Sequence, residues 1–153
     1  IIGGAHEGKG LGIEFLRHIE RTEILLFMVD LASYRDLREQ IETLREEVAR
    51  FSDKLAHSKY AIALTRADII DPDEINALVE SFLDIVGVKV TKNSELEFDR
   101  SIPYYIQEST DENLGYDRSL PYFIMPISSA THKNIDALKH ALFNLVQSKR
   151  YEN

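Results

Sequence analysis

Nine consecutive residues, Ile24 to Ala32, read ILLFMVDLA and are hydrophobic throughout except at Asp30. An amphipathic helix would place polar residues at a period near 3.6, and a half-exposed strand would alternate, so neither is written this way. A short unbroken run predicts instead a strand covered on both faces, as strands are inside a parallel sheet. It is far shorter than the ~20 residues a membrane-spanning helix needs, and no longer apolar run occurs. Parallel neighbours require a crossover after each strand, which the chain supplies.

Leu37, Ile41, Leu44, Val48, Phe51 and Leu55 recur at steps of four and three, and predict one long packed helix, with Ser33 and Asp36 resembling a capping box at its entry. The same spacing suits a coiled coil, but it lasts only about three heptads and strands flank it. KYAIALTRAD, Lys59 to Asp68, predicts a second strand. Asp71, Pro72 and Glu74 then occupy N-cap, first-turn and N3 positions of a helix that buries Ile75, Leu78, Val79, Phe82 and Val86 and closes at Gly87. YFIMPISS, Tyr122 to Ser129, predicts a third strand, and a last helix from about Asn134 turns Leu138, Ala141, Leu142, Leu145 and Val146 inward. Alternating strands and helices imply an α/β fold, a parallel sheet between helical layers. The polar stretch from Val88 to Pro121 fits no period and reads as a surface insertion, with a hairpin or edge strand near Pro103.

With 153 residues, 44% of them apolar, the chain suits a single domain with a substantial core. A formal charge of −8 argues against a broad phosphate-neutralising surface. The absence of cysteine excludes disulfides and zinc-thiolate sites and fits a reducing compartment. No basic n-region opens a signal peptide, so the expectation is a soluble cytoplasmic protein without a membrane span.

The stretch GGAHEGKG, Gly3 to Gly10, has the glycine spacing and lysine of a phosphate loop. It departs from one in two ways: Gly10 stands where Ser or Thr would bind magnesium, and only Ile1 and Ile2 precede it, too few for the launching strand. The longer stretch GAHEGKGLGIEFLRHIERTEILLFMVD, Gly4 to Asp30, resembles the second switch and following strand of the Obg family of bacterial GTPases. The resemblance makes Gly3, Gly4, Ala5, His6, Glu7, Gly8, Lys9 and Gly10 a remodelling switch, which agrees with the low cost of φ > 0 at glycine.

The resemblance implies the carboxyl-side half of a GTPase domain of the P-loop NTPase type, spanning residues 1–153 with the insertion at about 88–121. The Walker loop, first switch, D-x-P-G element and glycine-rich N-terminal domain are expected upstream, and the strand from Ile24 would be flanked by the phosphate-loop strand. The family's N-K-x-D element corresponds to Thr65, Arg66, Ala67 and Asp68. Asp68 would accept hydrogen bonds from the ring N–H and exocyclic amine of guanine, Arg66 would lay its cation and stem over the purine, and Thr65 keeps a hydroxyl but loses the amide that ties loops together. Taken without its context, T-R-A-D reads better as an ordinary strand-end turn in which Asp68 or Asp71 caps the next helix. The family's S-A turn, whose backbone N–H contacts guanine O6, corresponds to Ser128 and Ser129, with Ala130 beside them; a plain strand-to-helix turn is the alternative.

Ile1 falls where many GTPases keep a water-orienting glutamine, which implies slow hydrolysis, and assigns no catalytic residue. His6 and Glu7 read best as solvated loop residues. The implied cofactors are GTP or GDP with Mg²⁺, whose ligands would lie upstream, and the implied partner is the large ribosomal subunit during its assembly and in stress control. The competing expectation is a non-hydrolysing interaction module with a degenerate nucleotide site, docking through the acidic helix Tyr34 to Ala56.

Overall fold

The computed structural model describes residues 24–91, 102–107 and 117–151. Strand β1 (Ile24–Asp30) and strand β2 (Lys59–Thr65) pair in parallel, with Ile24 opposite Lys59 and Asp30 opposite Thr65. Strand β4 (Phe123–Pro126) lies parallel to β2 on its other side, with Ile62 opposite Ile124 and Leu64 opposite Pro126. The two-residue strand β3 (Tyr105–Ile106) joins β4 antiparallel, giving a four-stranded mixed sheet of order β1-β2-β4-β3. The all-parallel expectation is corrected by β3, which belongs to the 88–121 stretch. Thr91 holds that segment in place: its Oγ1 accepts from Ile106 N–H at 2.8 Å, and its N–H donates to Tyr104 O at 2.8 Å.

Coverage of the two faces decides which strand is fully buried. Helices α1 (Leu37–Phe51), α2 (Asp53–Ala56) and α3 (Pro72–Val86) contribute to one core with Leu25, Phe27, Val29, Ile62 and Leu64. Helix α4 (Ile135–Tyr151) closes the other face, its Ala137, Ala141 and Leu145 sharing a second core with Ala61, Ala63, Phe123 and Met125. Central β2 is therefore buried on both faces up to Thr65. Among the described residues β1 is at the sheet's edge, the edge the sequence leaves for a phosphate-loop strand, with Ile24 and Leu26 partly covered and Met28 44% exposed.

Local signals explain the helix ends. Asp71 N-caps α3 by accepting from Asp73 N–H at 2.9 Å, Pro72 fills the first turn, and Gly87 ends the helix at φ +93° with its N–H on Leu83 O. Leu83 is buried there together with Ile75, Val79 and Phe82, whereas Leu78 and Val86 are only partly covered. An Asp71→Ala substitution is expected to cost about 1 kcal/mol through the lost cap, read from the urea unfolding midpoint.

Other boundaries differ from the sequence expectation. Asp36 alone caps α1, accepting from Arg38 N–H at 2.7 Å, while Ser33 Oγ takes Arg35 N–H one turn earlier. The long helix breaks at Ser52, whose backbone is extended (φ −155°) and whose Oγ caps α2 through Leu55 N–H. The third strand stops at Pro126 rather than Ser129, because Ser128 N–H turns away to bond Lys133 O at 3.1 Å. Val146 points outward and is 44% exposed, since the inward stripe of α4 runs through Ala137, Ala141 and Leu145.

Candidate functional site

Because β1, β2 and β4 are mutually parallel, their carboxyl ends open on one side of the sheet, where ligands of α/β folds gather. Three loops meet there. Ala67 N–H donates to Ile127 O at 3.0 Å, joining the β2 exit to the β4 exit, and Leu31 N–H donates to Thr65 O at 3.1 Å, joining β1 to β2. The loops line a cleft of about 600 Å³ that takes in Thr65, Arg66, Asp68, Ser128, Ser129 and Ala130 together, flanked by Asp30, Gln40 and Ile69. All six residues named for base recognition are thus neighbours of one cleft, although they come from positions some sixty residues apart in sequence. The switch stretch Gly3 to Gly10 lies outside the described residues.

The hydrogen bonds sort these residues into those that build the cleft and those left facing it. Ser128 is 1% exposed; its N–H is spent on Lys133 O, and its Oγ accepts from Thr131 N–H at 3.1 Å. Asn134, at φ +57°, donates its amide to Pro126 O at 2.9 Å and locks the same turn. The N–H groups of Ser129 and Ala130 have no acceptor among the described residues. Thr65 Oγ1 donates to Val29 O at 3.4 Å, so its hydroxyl ties β2 back to β1. Asp71, not Asp68, caps the following helix. Asp68 is exposed in the cleft, and its carboxylate accepts no hydrogen bond among the described residues.

Two further residues shape the site. Asp30 receives Arg66 in a two-pronged contact, Nε to Oδ1 at 2.8 Å and a terminal guanidinium nitrogen to Oδ2. This bond to Arg66 holds the Asp30 carboxyl below the ordinary carboxylate range, against a smaller opposing effect of burial, and raises Arg66 in turn. Gln40, one turn into α1, clamps the Asp30 backbone from both sides: Oε1 accepts Asp30 N–H at 2.9 Å, and Nε2 donates to Asp30 O at 3.0 Å. An acidic residue ending an apolar strand was a visible signal for Asp30; nothing in the sequence marks Gln40, whose partner lies across a turn.

No protein-family model matches the chain. It is similar to proteins described as GTPase Obg. That of Sulfurimonas denitrificans is 79% identical over 150 residues, covering 98% of this chain and 41% of the relative. That of Nautilia profundicola is 46% identical over 154 residues, covering 100% and 38%. That of Solibacter usitatus is 38% identical over 149 residues, covering 95% and 34%. The chain spans about two fifths or less of the length of the curated relatives it matches. Over the region it shares with these relatives, the chain belongs to the Obg family.

Proposed function

We propose that the cleft is the base-reading part of a guanine-nucleotide site, on a sheet that forms the carboxyl-side half of a P-loop GTPase domain. The observation that carries this reading is the pairing of unspent groups: a carboxylate without a donor at Asp68 and N–H groups without acceptors at Ser129 and Ala130, in one cleft. Guanine offers the complement. Its ring N–H and exocyclic amine suit a carboxylate, and its O6 suits a backbone N–H. Adenine presents an acceptor and a donor at the first and last of those places, so it would cover these polar groups without matching them.

The relatives' description as GTPases supports hydrolysis of GTP by the full-length protein. Hydrolysis is expected to be slow, with Gly3 to Gly10 as the segment that signals nucleotide state. Mg²⁺ would arrive on the phosphates; among the described residues no group of three His, Asp or Glu is placed to hold it. Large-subunit ribosome assembly is the output that the family resemblance suggests, in the cytoplasm, and no helix among the described residues is long and apolar enough to cross a membrane.

The test is equilibrium displacement of a fluorescent GDP from the full-length protein by GDP, GTP and ADP. Displacement by both guanine nucleotides at micromolar concentration, with ADP far weaker, is the expected result. No binding of any nucleotide would overturn it and leave an interaction module with a degenerate site.

A further inference from the structure

Arg66 stands where the chain leaves β2, in the left-handed backbone region at φ +59°, and its side chain remains about half exposed at the cleft. Its contact with Asp30 is made in the plane of the guanidinium, through Nε and one terminal nitrogen. A fork of this kind fixes the orientation of the plane and leaves its faces unused. Asp30 is itself fixed at three points: Oδ1 also accepts Ala32 N–H at 2.9 Å, and Gln40 holds its N–H and C=O.

From this geometry we infer that Asp30 is a positioning residue for the nucleotide, holding the Arg66 guanidinium as a fixed surface on which the purine lies. The inference rests on the guanine-site reading above. Its physical content is preorganisation: a free arginine samples many rotamers and would have to be ordered when the base arrives, whereas the forked one is ordered beforehand. A lysine at position 66 could not use Asp30 in this way, because an ammonium group is a point charge with no plane to orient. Arg66 and Asp30 therefore act as one device in this chain. A stacking surface is indifferent to the edge of the base, so the device sets affinity for purines, while Asp68 sets the choice among them.

The experiment is a double-mutant cycle in the full-length protein, with affinities for GDP and for IDP, which lacks the exocyclic amine. Arg66→Ala is expected to weaken both by the same factor, about tenfold, as loss of a cation over a ring does. Asp30→Asn should weaken both by a smaller common factor, because the guanidinium remains but must be ordered on binding. The double variant should bind no more weakly than Arg66→Ala, because Asp30 acts only through Arg66. Far-UV circular dichroism establishes that each variant is folded. If Asp30→Asn does not fold, Arg66→Lys carries the test: it keeps the charge, loses the fork, and should also bind both nucleotides more weakly.

Wild-type affinity in folded Asp30→Asn or in Arg66→Lys overturns the positioning role, as do losses that multiply in the double variant. A loss confined to GDP would make Asp30 a reader of the base edge and overturns it too. These results all presuppose a wild-type protein that prefers guanine; a wild type without that preference overturns the guanine site first and this inference with it.

Discussion

Asp68→Asn is expected to shift the base preferred by the proposed nucleotide site from guanine to xanthine. The carboxylate can only accept, and guanine supplies two donors side by side, the ring N–H and the exocyclic amine. Asparagine offers one acceptor and one donor, which matches xanthine, where a carbonyl replaces the amine. The Asp68 carboxylate accepts no hydrogen bond within the described residues, so the exchange breaks none and should leave the fold intact. Losing a bidentate base contact is worth about 1–3 kcal/mol of discrimination, so GDP affinity should fall roughly 5- to 150-fold while XDP affinity rises. Competition of GDP and XDP against a fluorescent nucleotide reads both changes. Asp71→Asn is the control three residues on: asparagine caps helices as well as aspartate does, so nucleotide preference should stay unchanged. Guanine preference surviving in Asp68→Asn would remove this side chain from base recognition.

The fold was most legible where physical causes are local or are written along a single element. The Asp71-Pro72 start and Gly87 stop of α3 needed only their neighbours, and β2 was legible because its stretch buried on both faces, Tyr60 to Leu64, is apolar throughout. The errors came where the cause lies elsewhere in the chain. The two-residue strand β3 in the 88–121 stretch is too short for any period to show its antiparallel pairing with β4. The stripe Val48, Phe51, Leu55 carried the helix expectation across Ser52, although Ser-Asp at that point spelled a new cap. In the cleft, the meeting of Asp68 with the Ser128 turn followed from strand order, since parallel neighbours deliver their exits to one side. The Arg66–Asp30 fork and the Gln40 clamp depend on side-chain reach between elements, and no periodicity encodes that.

Phe82→Ala is expected to lower stability by about 3–5 kcal/mol, the usual cost of emptying an aromatic core position. Phe82 is fully buried on α3 and belongs to the cluster that includes Leu64, Val79, Ile124 and Ala67. Truncation removes its apolar contacts and leaves a cavity that surrounding strands cannot fill, because β2 is held in register on both sides. Ala67 in the same cluster donates the bond to Ile127 that joins the exits of β2 and β4, so the core and the cleft share a wall. The loss should lower the thermal midpoint by roughly 6–20 °C for a unit of this size. It should also weaken nucleotide binding near that lowered midpoint while leaving the guanine preference of the folded fraction intact. Val146→Ala on the outer face of α4 gives the contrast: at 44% exposure it should change stability by less than about 0.5 kcal/mol. A Phe82→Ala protein as stable as wild type in urea unfolding would mean that α3 does not pack on this sheet through Phe82.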